Sequence, residues 1–250
     1  MKEISFFVCL TCSWFLFSQN VTDAKGQKQG GWTKTYPKSK VYQYKGQFKD
    51  DKPVGVFTYY YPSGKMKATI SHDPASNRSV GVFYHENLVV MSKGIYKDMK
   101  KDSIWLNYTT TGRLNSSETY VNDTLHGPVI AYFLPEDPND MTKRVFSKSN
   151  YVKGQLEGEF IQYFDFGSVQ LKGQYKANKR EGTWERYQVN GKKMNTEYYT
   201  LGALNGWCYV YDESGKEITK SYFLFGERLE GKRLEEHLKL QQNTLNKNKN

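Results

Sequence analysis

Glycine and aromatic residues recur together at a nearly fixed interval, and this periodicity constrains the fold more than any other feature. From Gly182, Trp184 lies two residues on, Tyr187 five on and Gly191 nine on. The same order appears as Gly158, Phe160, Tyr163, Gly167 and as Gly55, Phe57, Tyr60, Gly64. Gly206, Cys208, Tyr211 and Gly215 repeat it, with Trp207 beside the cysteine, and Ser103 takes the first place before Trp105, Tyr108 and Gly112. Weaker copies start at Gly31, Gly81 and Gly127. The eight anchors at 31, 55, 81, 103, 127, 158, 182 and 206 are spaced 24, 26, 22, 24, 31, 24 and 24 residues apart. A period of this length is the signature of a repeat architecture in which each unit is one supersecondary motif.

Each unit reads as a β-hairpin. An aromatic strand leads from the anchor to a turn holding the second glycine, as in Pro62-Ser63-Gly64-Lys65 and Val189-Asn190-Gly191-Lys192. Such sequences supply the positive φ of tight turns. A second strand returns with another aromatic about seventeen residues after the anchor: Phe48, Tyr120, Tyr175, Tyr199, Phe223. A polar turn such as Asn178-Lys179-Arg180-Glu181 then leads to the next unit. Composition agrees: 16% of residues are aromatic, 20 are tyrosines and 21 are glycines, a balance that favours strands and turns over amphipathic helices. A lone hairpin is marginal in water, whereas stacked hairpins share a core. The expected fold is all-β: an elongated single-sheet array of stacked hairpins over residues 30–228, closed by a short capping helix at 229–241. That helix follows from the spacing of Leu234, Leu238, Gln241 and Leu245, and is expected to cover the last open strand edge. Residues 242–250 are polar and expected to be disordered.

These residues resemble a known family. Tyr44-Lys45-Gly46-Gln47-Phe48 followed by Gly55-Val56-Phe57 and Tyr60 to Gly64, and again Leu171-Lys172-Gly173-Gln174-Tyr175 followed by Gly182-Thr183-Trp184, look like MORN repeats. More narrowly they are similar to the bacterial variant found in proteins labelled YwqK-type antitoxins. The resemblance spans roughly residues 30 to 231 and departs from the pattern at the Gly81 and Gly127 units. It implies an elongated, twisted sheet of hairpins that serves as a binding scaffold.

The first 18 residues differ in character. Lys2 precedes an apolar run from Ile4 to Phe17, then Ser18 and Gln19. This pattern is expected of a secretory signal peptide, is short for a membrane span, and argues against a cytosolic antitoxin. Residues 19–29 then serve as a linker. Removing the leader takes Cys9 and Cys12 and leaves Cys208, which excludes an internal disulfide or a cysteine-based metal site. The net charge of +10 favours anionic partners, but no dense basic block of the kind found in nucleic-acid arms appears.

Chemistry is sparse. His72, His85, His126 and His237 show no metal-ligand spacing, and neither a nucleophile elbow nor a phosphate loop is present. The reading is therefore non-catalytic, monomeric, and without cofactor or metal. Regular alternation places the tyrosines five residues after each anchor on the face opposite the first aromatic. Tyr60, Tyr108, Tyr163, Tyr187 and Tyr211 are thus either a second core layer or an exposed aromatic ladder for recognition. The 31-residue spacing inserts Leu134 to Asp140, whose Glu136, Asp137, Asn139 and Asp140 form an acidic loop of the kind that often carries function. The expected function is an exported scaffold that binds a protein or surface glycan at the cell envelope. The alternatives are a peripheral binder of anionic membranes and an antitoxin.

Overall fold

The computed structural model describes residues 19–134, 136–137, 140 and 142–247. The expected signal peptide and Asn139 lie outside the described residues. The chain divides after Ser76 into two compact units. The first holds β1 (Val21–Thr22), β2 (Lys28–Thr35), β3 (Tyr42–Lys49), β4 (Lys52–Tyr60) and β5 (Met66–His72), paired antiparallel in sequence order. The segment expected as a linker is thus part of the sheet, with Val21 opposite Gln29.

The second unit begins with β6 (Arg78–Tyr84), β7 (Val90–Lys97), β8 (Lys100–Tyr108), β9 (Leu114–Val121), β10 (Thr124–Tyr132) and β11 (Val145–Val152). It continues through β12 (Gln155–Leu156), β13 (Gly158–Tyr163), β14 (Val169–Lys176), β15 (Lys179–Tyr187) and β16 (Lys193–Thr200). It ends with β17 (Ala203–Leu204), β18 (Gly206–Tyr211), β19 (Glu217–Leu224), β20 (Glu227–Leu229) and α1 (Gly231–Lys247). These strands also form an antiparallel meander, with β12 and β13 both on β11, and β17 and β18 both on β16. The chain is therefore an all-β array of hairpin repeats with one C-terminal helix.

The repeat's glycines have distinct physical tasks. The anchors Gly55, Ser103, Gly158 and Gly182 adopt φ of 65°, 60°, 83° and 67° and sit in bulges, where three residues of one strand oppose one of its partner, as Gly182 to Trp184 oppose Gly173. In the first repeat Gly30, with φ 65°, holds this place. Gly31 is therefore not the anchor, and Trp32 stands in register with the other aromatics. Gly81 has no positive φ, in keeping with the weakness of that copy. The glycine of the Lys-Gly pair acts differently. At Gly46, Gly94 and Gly173 an added Cβ would overlap the ring of Phe57, Trp105 or Trp184. The ring lies against bare backbone of the preceding strand, and the Nε1 of Trp105 and Trp184 donates to the carbonyls of Ile95 and Gln174, each at 3.1 Å. Neighbouring side chains complete the cover: Lys101 lies 4.5 Å from the Trp105 centroid and Arg180 4.2 Å from that of Trp184. Trp105 and Trp184 are 0% and 1% exposed. Flat-lying rings thus give each unit a core on one sheet face.

The two ends of each hairpin are closed by different turns. Two-residue turns with both φ positive occur at Asp50-Asp51, Asp98-Met99, Asn122-Asp123, Lys153-Gly154, Ala177-Asn178, Leu201-Gly202 and Phe225-Gly226. This is the I′ conformation, whose twist matches the strands. The polar turn expected at 178–181 is thus Ala177-Asn178, and Lys179 already belongs to β15. The Ser-Gly and Asn-Gly glycines instead end three-residue loops, where a type I turn precedes a glycine with positive φ. Gly191 N donates to Gln188 O at 2.9 Å and Gln188 N to Lys192 O at 2.8 Å, and Gly64, Gly112, Gly167 and Gly215 repeat the pattern.

Successive repeats are joined at the I′ turns. The second turn residue donates its N–H to a carbonyl of the previous repeat: Asp123 to Lys101, Gly154 to Leu125, Asn178 to Leu156, Gly202 to Arg180 and Gly226 to Leu204, all at 2.7–3.1 Å. In the first unit Asp51 N donates to Lys28 O at 3.2 Å, while Asp51 Oδ1 accepts from Lys28 N at 2.8 Å.

The C-terminal helix starts at Gly231 and continues to Lys247, so residues 242–247, expected to be disordered, are helical. It meets the last hairpin through a face residue: the Tyr222 hydroxyl lies 3.1 Å from His237 Nε2 and accepts from Gln241 Nε2 at 3.0 Å. This contact is made with a residue of β19, next to the last strand β20.

Two glycine substitutions separate the two kinds of glycine. Gly173→Ala, at ordinary φ but under the Trp184 ring, should cost roughly 2–3 kcal/mol through overpacking. Gly226→Ala, at φ 91° with nothing within 4 Å, should cost only about 1 kcal/mol of backbone strain. Urea unfolding midpoints decide the matter; equal losses would mean that ring-on-backbone packing is not what Gly173 provides.

Candidate functional site

Strand alternation puts the expected tyrosines on the face opposite the buried rings. Glu185 follows Trp184 and pairs across the sheet with Lys172, and Tyr187 shares its face. The same diagonal recurs as Lys93 with Tyr108 and Lys148 with Tyr163 in the second unit, and as Lys45 with Tyr60 in the first. In each case the ammonium lies over the ring, 5.7, 5.8 and 5.9 Å from the centroid, and 5.5 Å for Lys172 over Tyr187. The lysines are exposed and the tyrosines half-buried. At these four rungs the column is thus neither a sealed second core nor a bare aromatic ladder: each ring is half-buried and flanked by a cation. Tyr132 continues it, with Ser117 in the lysine place. The lysine partner is hard to find in the sequence, because the Lys-Gly pair signals through its glycine.

One rung carries a charge network. Glu185 accepts from Lys193 at 2.5 Å, from the Tyr187 hydroxyl at 2.7 Å and from Lys172 at 3.1 Å. Burial alone would raise its carboxyl, but hydrogen bonds from Lys193, Tyr187 and Lys172 outweigh it and pull the pKa down to about 2. Burial and the Glu185 carboxylate raise Tyr187 despite Lys172. On the opposite face, desolvation and then the hydrogen bond to Glu118 push Tyr120 up to about 12. Cys208 is free and half-buried, and burial raises its thiol, which disfavours the reactive thiolate.

Tyr187 and Tyr211 also line a groove of about 1090 Å³ at the loop end of the second unit. Its lining repeats with the period of the chain: Phe164, Gln188 and Asp212; Gln170, Met194 and Ile218. Val189 and Ile218 are 66% and 64% exposed, and Met194 is also exposed. A sequence signal for the groove exists: Phe164, Val189 and Ile218 stand in or beside turns where polar residues are the norm. Gln188 and Asn190 fix the groove by donating to the carbonyls of Asp212 and Glu213 at 2.8 and 3.1 Å. Beside it, Tyr163 and Lys148 line a smaller hollow of about 410 Å³ with Arg144, Asp165 and Phe166.

The inserted loop reaches this hollow through Arg144, which binds Asp140 at 2.7 Å and Asp165 of the next repeat at 2.5 Å. Asp140 is lowered mainly by hydrogen bonds from Thr142. Glu136 and Asp137 are exposed. The structure therefore gathers Tyr163, Tyr187, Tyr211 and Asp140 along one margin of the second unit, with Tyr108 further along the same sheet and Tyr60 in the first unit. Among the described residues no group of three His, Cys, Asp or Glu side chains is placed to hold a metal ion, and no helix is long and apolar enough to cross a membrane.

The Glu185 network has a pH signature. Its pKa falls on folding from 4.5 to about 2, so its contribution is complete above about pH 4.5 and disappears as pH drops through 2. Because Lys172 and Lys193 are solvent-exposed, screening limits that contribution to about 1 kcal/mol. Glu185→Gln should therefore be less stable than the parent chain at pH 7, with the gap closing between pH 4.5 and 2 in thermal unfolding. A gap constant with pH would show that the carboxylate charge is not what stabilises this rung.

No protein-family model and no curated protein matches the chain. Among solved structures, 55% of the chain aligns with the crystal structure of a mutant of S. aureus TarM in complex with fondaparinux, alpha-GlcNAc-glycerol and UDP, at 13% identity and a TM-score of 0.19. Another alignment covers 74% of the chain on the crystal structure of TcdB2-TccC3-TEV, at 12% identity and a TM-score of 0.18. The chain spans 21% and 11% of the lengths of those proteins. At such TM-scores neither alignment bears on fold or function.

Proposed function

We propose that this chain is an exported, non-catalytic repeat scaffold of MORN-like type that holds a protein or surface-glycan partner at the cell envelope. The observation that carries the reading is the groove built from equivalent positions of three successive repeats. Exposed apolar side chains at turn positions are costly to leave in water, and a concave apolar patch with a few fixed polar groups is a common form of binding site. Backbone pairing and turn-to-strand hydrogen bonds hold the lining on rigid elements, so little ordering is required on binding. The apolar run before Gln19 supports export, and the sparse chemistry of the histidines and cysteine supports a binding role over a catalytic one.

Two measurements test this. In cell fractionation with intact mass determination, a chain beginning near Gln19 outside the cytoplasm is expected; an uncleaved cytoplasmic chain overturns export and brings the antitoxin reading forward. In capture from an envelope fraction, the double variant Val189→Asp/Ile218→Asp should lose roughly tenfold or more of the partner held by the parent chain. Its unfolding free energy should stay within about 0.5 kcal/mol, as usual for exposed positions. Undiminished capture by the folded variant would remove the groove from consideration.

A further inference from the structure

We propose that the tyrosine–lysine face of the second unit binds a linear acidic polysaccharide carrying one carboxylate per disaccharide. The inference rests on the reading of the chain as a binding scaffold and names the ligand of a surface beside the groove.

The geometry is periodic. Equivalent residues of successive repeats lie two strands apart, a step of about 10 Å at the usual strand spacing. Lys148 on β11 and Lys172 on β14 are one such step apart, and Lys93 on β7 lies two steps from Lys148. A disaccharide of an extended, β-linked polysaccharide has a length of the same order, so its carboxylates meet the lysines in register. Lys93 and Lys148 have no carboxylate within ion-pair distance among the described residues, whereas Lys172 shares Glu185 with Lys193. The unpaired ammoniums stand over Tyr108 and Tyr163, and Tyr132 fills the intervening repeat on the same face. Tyrosine is a flat amphipathic platform, suited to the C–H face of a sugar ring while its hydroxyl meets sugar hydroxyls. The track of free ammoniums ends at the Glu185 carboxylate, which already compensates Lys172, and beyond it Asp212 and Glu213 of the groove repel an anionic chain.

Other polyanions fit less well. A nucleic-acid strand carries a phosphate every ~3.4 Å in a duplex, so lysines one repeat apart leave most phosphates uncompensated. An anionic membrane attracts a dense cluster of some 4–8 basic residues, whereas here single lysines alternate with rings.

The test is a titration of the intact chain with hyaluronate oligosaccharides, read by calorimetry at low and at physiological salt. Parallel titrations use a single-stranded oligonucleotide and vesicles of equal parts phosphatidylcholine and phosphatidylglycerol. Hyaluronate should bind most tightly and weaken with salt. Lys93→Gln/Lys148→Gln should lose about tenfold in affinity, as expected for two lost ionic contacts. The charge-matched control Lys232→Gln/Lys239→Gln, on the helix, should change it less than twofold. Absence of hyaluronate binding at low salt, equal losses in both double variants, or tighter binding of the oligonucleotide or vesicles would each overturn the proposal. If hyaluronate fails while groove-dependent capture persists, only this inference falls; if both fail, the scaffold reading falls with it.

Discussion

The hydrogen bond from each I′ turn to the preceding repeat is the interaction on which the rest of the second unit depends. A hairpin stack could slide by two residues and keep every side chain on its own face. The bond from Asn178 N to Leu156 O, repeated at Gly154, Gly202 and Gly226, removes that freedom because it fixes which carbonyl each turn must reach. Once register is fixed, Lys-Gly glycines meet rings, lysines meet tyrosines, and loop tips line up into a groove. The turn geometry is imposed even on residues that resist it. Leu201 and Phe225 adopt φ of 53° and 47°, at a strain of about 1–2 kcal/mol each, which the inter-repeat bond and strand pairing offset.

A second constraint follows from having one layer. A sheet without a partner layer has no opposing side chains to bury its aromatics, so each ring lies down on the sheet itself. That requires bare backbone beneath it, which Gly94 and Gly173 provide, and flat cover above, which Lys101 and Arg180 provide through their stems and charged heads. The same logic explains why charge and aromaticity are interleaved along the chain: in a one-layer core the lid must be amphipathic, because its outer side faces water.

The fold was legible because the repeat is written in residue types with narrow conformational meaning. Glycine at positive φ and aromatics at fixed offsets specify strand, bulge and turn together, and the structure follows them closely. The differences arise where a residue type has two meanings. Gly30 and Gly31 are adjacent, and only φ tells which is the anchor. Asn-Gly fits both a two-residue hairpin and the end of a three-residue loop, and the pairing of Gln188 with Lys192 decides. The expected helix ended too early because Asn243, Thr244 and Asn246 are poor helix formers, and the sequence shows neither the docking of His237 and Gln241 onto Tyr222 nor how far helix propagates from it. The candidate site was legible only in part. The tyrosine column has the period of the repeat, but its lysine partners sit on the neighbouring strand, a diagonal contact that linear spacing hides. The groove's Met194 and Ile218 follow turn glycines and gain a shared surface only through stacking.

The two margins of the sheet differ in what they allow. On one margin of the second unit, the connections from Asn122-Asp123 to Phe225-Gly226 are two-residue turns whose N–H is already engaged by the preceding repeat, so an added residue would break that bond. On the other, the loops run from three residues at Gly191 to the insertion between Phe133 and Arg144, and Phe133 N still reaches Arg144 O at 2.8 Å. Length on that margin is decoupled from the sheet. A chain built this way can lengthen, shorten or re-edge one border while its frame stays constant, much as a ruled page keeps its lines while the writing changes.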